Sequence, residues 1–167
     1  MVIEAENHSE AIAQGGRSWS LVSTPAGFAG TGLMDVGPNN GGFASSATAP
    51  EMRYPIEFST PGTYQVWIRG VGASSTDDSL NIGLDGVLQA SADRISDFTP
   101  YNSYQWSKQT MDGTPATITI GSPGLHTLSV YMREDGMRVD RILLSTDAAL
   151  VPSGSGPPES ARSGGGA

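Results

Sequence analysis

Tyr131-Met-Arg-Glu-Asp-Gly-Met-Arg-Val-Asp140-Arg-Ile-Leu-Leu-Ser-Thr146 begins as a polar loop and ends as a buried strand. Asp140 lies inside that strand, among Val139, Ile142, Leu143 and Leu144. A carboxylate in such surroundings needs a cationic partner or a metal, because desolvating an unpaired charge is expensive. At the other end of the chain, Glu4 and Glu6 stand two apart in Val2-Ile-Glu-Ala-Glu6. If these residues are a strand, both acids share one face. Reading outward from 131–146 therefore pairs the first and last strands and brings three acids together.

The segments between them have the period of strands. Met52-Arg-Tyr-Pro-Ile-Glu-Phe58 alternates and stops at Ser59-Thr-Pro-Gly62. Thr63 to Arg69, Ser79 to Asp85, Ala116 to Ile120 and Leu125 to Met132 follow. The spacing also predicts an exposed strand within 103–111, and short strands near 19–22 and 32–36. Asp85-Gly86 is a strong hairpin turn, and Gly121-Ser-Pro-Gly124 is another turn signal. No segment reads as a helix of ordinary length. Short β-branched runs at regular spacing predict an all-β fold, a sandwich of two antiparallel sheets.

The 167 residues are 37% hydrophobic, enough for one domain with a substantial core. The 22 glycines and 11 prolines favour turns over helices. A net charge of -8 excludes a general nucleic-acid surface, which needs clustered Lys and Arg. No apolar run is long enough to span a membrane as a helix. The chain lacks cysteine and is compatible with an oxidising space. Residues 1–148 are expected to be the folded sandwich. Residues 149–167, rich in Gly, Ser and Pro, are expected to be a flexible linker or tail.

Candidate chemistry falls in three places. Hard carboxylate oxygens on Glu4, Glu6 and Asp140 suit Ca²⁺; the competing reading has Glu4 and Glu6 facing solvent and Asp140 paired with Arg141 or Arg53. Asp77-Asp78 sits at a strand rim, where it would cap a turn, hold a polar ligand or bind a second cation. Tyr104 and Trp106 share a strand face, and an exposed aromatic plane can lie against the C–H face of a sugar. Arg133-Glu134-Asp135-Gly136 packs donors and acceptors at a strand end, either as a charged hairpin tip or as a set of ligand contacts. His8 and His126 are far apart, and no Gly-x-Ser-x-Gly elbow, His-Glu-x-x-His pair or phosphate loop occurs.

Taken in order, several segments resemble the calcium-binding β-sandwich carbohydrate-binding modules of families 6 and 35, in the galactose-binding-like superfamily. They are Glu4-Ala-Glu6, Phe58-Ser-Thr-Pro-Gly-Thr-Tyr-Gln-Val-Trp-Ile-Arg69, Thr76-Asp-Asp-Ser-Leu80 with Leu84-Asp-Gly86, Gly124-Leu-His-Thr-Leu128, Arg133-Glu-Asp-Gly136 and Val139-Asp-Arg-Ile-Leu143. The resemblance spans residues 3–146. It implies a jelly roll, and a structural Ca²⁺ on Glu4, Glu6 and Asp140 with loop carbonyls. It also implies a sugar site in loops at one end, near Asp78, Trp106, Arg133, Asp135 and Arg138, and a second site on the concave face. Many members carry an asparagine where this chain has Arg138. The functional expectation is a non-catalytic module of a secreted polysaccharide-degrading enzyme, tethered to a catalytic domain. Its ligand would be a polysaccharide or oligosaccharide, either an acidic sugar or a galactan. The rival readings are a structural or protein-interaction sandwich without a sugar site, and a glycoside hydrolase or lyase.

Overall fold

The computed structural model describes residues 1–42, 44–45 and 48–161. Among these it contains twelve strands: β1 (Val2–Glu4), β2 (Glu10–Ile12), β3 (Ser18–Val22), β4 (Leu33–Gly37), β5 (Glu51–Phe58), β6 (Gly62–Val71), β7 (Leu80–Leu84), β8 (Val87–Leu88), β9 (Gln105–Ser107), β10 (Thr117–Ile120), β11 (Gly124–Met132) and β12 (Arg138–Ser145). Two antiparallel sheets pack face to face. The larger runs β10-β6-β12-β4-β3, with β1 beside β12 and β9 beside β6; the smaller runs β2-β5-β11-β7-β8. The two-sheet antiparallel sandwich expected from the strand spacing is what forms, as the jelly roll that the resemblance implies.

Alternation explains the core. On β5, Met52, Tyr54, Ile56 and Phe58 are buried. On β11, their neighbour in the same sheet, Leu128, Val130 and Met132 stand beside them, and from β6 and β12 of the other sheet Val66, Ile68, Ile142 and Leu144 face them. Pro55, which has no N–H to give, lies beyond the stretch of β5 that β2 covers, Glu51–Arg53. Asp85 and Gly86 turn β7 into β8, both with positive φ, as such a two-residue turn requires.

The first strand is shorter than its sequence suggests. It ends at Glu4, and residues 5–7 form a single 3₁₀ turn. Tyr54 Oη donates to the Ala5 carbonyl at 2.7 Å, fixing that turn against the core. The exposed strand predicted within 103–111 is only β9, and β2 and β8 were not read from the sequence; at two or three residues they carry no periodic signal.

Strand β12 has a bulge. Val139 pairs with Gly70 and Arg141 with Arg69, so Asp140 is an extra residue. Phase is reset across it: Val139 and Ile142 both enter the core, and Asp140 and Arg141 both turn to the outer side, where loops and tail cover them. Gly70 lets β12 pass close, since a Cβ there would lie 2.4 Å from the Arg138 carbonyl oxygen.

The described part of the Gly/Ser/Pro-rich tail, residues 149–161, lies against the larger sheet. Leu150 packs on Val2, Trp67 and Leu143. The tail's backbone carbonyls, which accept from Arg69, Trp106 and Arg141, explain why so polar a segment finds a seat here. Residues 162–167 lie outside the described residues.

Candidate functional site

Five connections bring the predicted residues to the sandwich: the 23–32 loop, the 38–42 loop, the 72–79 loop, the segment 97–104 and the 133–137 turn. Asp78 is buried, and its Oδ2 accepts from Tyr101 Oη at 3.2 Å. Burial, then the neighbouring Glu134 charge, pushes the Asp78 carboxyl above its ordinary range. Glu134 Oε2 accepts from Ser79 Oγ at 2.6 Å and from the Asp78 N–H at 3.2 Å. Arg133 donates to Ser79 Oγ at 2.7 Å and lies 3.3 Å from Glu134. Asp77 accepts from Ser74 Oγ at 2.7 Å. Gly136, at φ 81°, stands where a Cβ would strike Asn39 and approach Asp77. Asp77, Asp78, Arg133 and Glu134 therefore gather at one end of the sandwich.

Asp135 belongs to the same turn but points inward. It is fully buried, and its Oδ2 accepts from Arg17 Nε at 3.0 Å and from the N–H groups of Asn40 and Gly42 at 2.9 and 2.8 Å. Burial alone would raise its carboxyl; the two N–H groups and Arg17 outweigh it and hold the group below its usual range. Its described contacts fasten the 38–42 loop.

Arg138 begins β12 opposite Asp35 on β4. Their nearest N–O distance is 3.6 Å, and both Arg138 Nε and Asp35 Oδ1 are buried without a hydrogen-bond partner among the described residues. Burial raises the Asp35 carboxyl, with Arg138 opposing.

The two aromatic candidates sit elsewhere. Tyr104 Oη donates to the Pro25 carbonyl at 2.7 Å, and the Arg69 guanidinium lies 4.2 Å from its ring centre. Gly27 is close enough that a Cβ would be 3.1 Å from the ring. Trp106 Nε1 donates to the Gly154 carbonyl at 2.9 Å, and its ring lies beside Gly156 and the cluster of Val2, Trp67 and Leu143. The tail covers this indole. Tyr101, by contrast, is a partly exposed ring at the loop end, tied to Asp78. Its position is set by segment 97–104, which Asn102 N–H fixes to the Gly72 carbonyl at 2.8 Å; no strand period could have located it.

The acids at the chain ends converge on one turn, residues 29–31. Glu6 Oε1 accepts from the Thr31 N–H at 2.7 Å, and Asp140 Oδ1 from the Ala29 N–H at 2.9 Å. Gly30, at φ 65°, leaves room that a Cβ would fill, 2.1 Å from Glu6 Oε1 and 3.2 Å from the Glu4 carboxyl carbon. Two arginines reach the same carboxylates. Arg141 grips Glu4 through Nε at 3.0 Å and through Nη2. Arg69 pairs with Asp140 through Nη1. Asp140 thus takes Arg69, not Arg141 or Arg53 as the sequence suggested; Arg53 is engaged with Glu51 and Glu10. Burial nevertheless keeps the Asp140 carboxyl above its ordinary range. Among the described residues no three Asp, Glu, His or Cys side chains stand as a ready metal cage. A hard cation is still chemically suited to this turn: Glu6 Oε2 is buried and without a partner.

The outer face of the smaller sheet forms an open cleft of about 540 Å³, lined by Ser9, Glu10, Arg53, Pro55, Asp85, Thr127 and Ser129 among others. Among the described residues no aromatic ring lines it.

Comparison with known proteins places this arrangement. The fold matches a family 35 carbohydrate-binding module from Paenibacillus barcinonensis with TM-score 0.64 at 17% identity, covering 88% of this chain and 99% of that one. It matches the C-terminal family 6 module of a marine laminarinase from Zobellia galactanivorans with TM-score 0.52 at 18% identity, covering 87% of this chain and 98% of that one. In sequence, an uncharacterized protein, P23, from Formosa agariphila is 34% identical over 62% of this chain. A 1,6-alpha-glucosyltransferase from Sporosarcina globispora is 26% identical over 75% of it. The chain spans 27% and 9% of these two proteins' lengths. The family model of the glycosyl hydrolase family 115 C-terminal domain matches residues 1–159. A sandwich with the fold of the family 6 and 35 modules, matched by that model over nearly its whole length, the chain belongs to the glycosyl hydrolase family 115 C-terminal domain family.

Proposed function

We propose that this domain is a non-catalytic carbohydrate-binding module that holds a secreted glycan-active enzyme on its polymer. Tethering of this kind raises the enzyme's effective concentration at the surface without new chemistry. The observation that carries the reading is Tyr101: an aromatic ring at the loop end, its hydroxyl fixed by buried Asp78, which Glu134, Ser79 and Arg133 surround. A ring held this way offers a flat apolar face at low entropic cost. Arg138 and Asp35 add a donor and an acceptor without partners on the adjoining strands.

The charge pattern favours a neutral sugar. Arg133 is engaged with Glu134, Arg138 faces Asp35, and the net charge of -8 repels acidic polymers. Two neighbouring hydroxyls, one donating and one accepting, would meet the exposed parts of Asp35 and Arg138, whose side chains are 28% and 33% exposed. A galactan or another neutral polysaccharide fits this better than a uronate. The concave cleft lacks a stacking ring in its lining and is the weaker site.

The same reading includes Ca²⁺ on Glu4, Glu6 and Asp140. Unpartnered Glu6 Oε2 supports it, and the ion would serve to fasten the 29–31 turn. Ligation by Glu4 and Asp140 requires them to share their oxygens with Arg141 and Arg69.

A glycan array with the wild-type domain, Tyr101→Ala and Arg138→Ala tests the proposal. Selective retention of a neutral polysaccharide, weakened about tenfold or more in each variant with folding unchanged, is expected. Selective retention of a uronate polymer overturns the sugar class, and retention indifferent to both substitutions overturns the site. Blank arrays alongside a calcium-dependent melting shift would favour a structural sandwich.

A further inference from the structure

We propose that the outer face of the larger sheet is a peptide-recognition groove whose ligand is this chain's own segment 150–160. At its centre the groove reads backbone. Arg69 Nε donates to the Gly154 carbonyl at 3.1 Å, and Trp106 Nε1 donates to the same oxygen at 2.9 Å. Arg141 Nη1 donates to the Ser155 carbonyl at 2.7 Å and also to that of Pro157. Three donors from three different strands thus converge on three carbonyls within four residues.

The ends of the segment are secured differently. Leu150 packs on Val2, Trp67 and Leu143 at one end. At the other, Ser160 meets the free edge of β1: its N–H donates to the Val2 carbonyl at 2.9 Å, and its Oγ accepts from the Val2 N–H at 2.8 Å. Glu159 accepts from the Glu4 N–H at 3.1 Å and from Asn7 Nδ2 at 2.7 Å. The segment therefore also covers a strand edge that would otherwise stand open to another chain.

The chemistry suits a Gly/Ser/Pro peptide. Glycine and proline backbones expose carbonyls, proline lowers the entropy lost on ordering, and an aromatic-lined groove with indole and guanidinium donors is a known way to hold such chains. Leu150 contributes an apolar side chain to the seat and Glu159 a carboxylate. Above Leu143 the segment arches, leaving a cleft of about 320 Å³ lined by Leu150, Pro152, Gly156 and Pro157 among others. Occupancy has a functional corollary: Trp106, a ring suited to sugar stacking, is shielded while the segment is seated.

The test uses the full chain and a synthetic peptide of residues 149–161. In the wild type, the Ser160 amide should exchange at least about tenfold more slowly than in the free peptide. Leu150→Ser should release that protection ten residues away, because the segment binds as one unit. In the double variant Leu150→Ser/Ser160→Pro, tryptophan emission should shift to the red while the far-ultraviolet spectrum keeps its strand signature. Added peptide should reverse the shift in the variant and leave the wild type unaffected. Exchange of wild-type Ser160 at the free-peptide rate overturns the proposal, as does unchanged emission in the double variant. Protection that disappears on dilution would assign the groove's occupant to a second copy and overturn the intramolecular assignment.

Discussion

Replacing Asp135 by alanine should destabilise the domain by about 3 kcal/mol. The figure follows from the geometry. One carboxylate oxygen accepts three hydrogen bonds, from Arg17 Nε, Asn40 N–H and Gly42 N–H. Charge-assisted bonds of this sort are each worth about 1.5–3 kcal/mol, so a simple sum would reach about 4.5–9 kcal/mol. The sum is too large, because two of the donors belong to an exposed loop and regain water when the acceptor is lost. Arg17, whose side chain is 18% exposed against 0% for Asp135, is also partly wetted already. What remains is the loss of the loop's anchor and of the packing beneath it. Asp135→Asn keeps an acceptor oxygen and should cost about half as much. Urea denaturation at neutral pH reads both, and the melting temperature of the alanine variant should fall by about 5–10 °C. A loss below about 1 kcal/mol for alanine would refute the anchoring argument and return Asp135 to the set of free ligand contacts.

Glu4→Gln breaks a buried ion pair and should cost about 2–3 kcal/mol, below the usual range because Arg141 keeps the Ser155 and Pro157 carbonyls; chemical denaturation measures it. Gly30→Ala places a Cβ on Glu6 at a positive φ, so it should lower stability and abolish any calcium-dependent rise in melting temperature seen in the wild type. The His126–Asp85 pair, 2.7 Å apart, should give a pH signature. The Asp85 hydrogen bond raises the His126 pKa, so its contribution is full below about pH 6.5 and is lost as pH rises through the folded value. Burial opposes the shift of Asp85, but His126 and the Thr127 N–H depress its pKa, so that contribution is present above about pH 3.9 and lost as pH falls through the depressed value. The melting difference between wild type and His126→Gln should therefore be largest near pH 5–6 and shrink by pH 8; a difference that grows with pH would contradict the pairing.

The strands β5, β6 and β11 were legible because their core-facing apolar residues recur with a period of two. So was the need of Asp140 for company, since the run around it is apolar. Its partner was not legible. Arg69 lies on a strand far away in sequence, and the bulge that turns Asp140 toward it leaves no mark on composition. Trp106 illustrates a different limit. Its polar flanks suggested solvent, yet its neighbours are Gly154 and Gly156, residues whose composition read as linker. A chain of small residues can cover a surface through its carbonyls alone, and hydrophobic patterning does not register that. Tyr101 stands outside any strand, so only the hydrogen bonds of its loop locate it.

The extra residue in β12 also sets what this strand tolerates. Deleting residue 140 would restore regular pairing with β6 and keep Val139, Ile142 and Leu144 in the core with Arg141 outside; what would be lost is the carboxylate that takes Arg69 and the Ala29 N–H. The irregularity is thus a surplus residue carried to set one acid outside the sheet: the strand can lose it without inverting its core face, and the cost falls on the contacts that the acid makes.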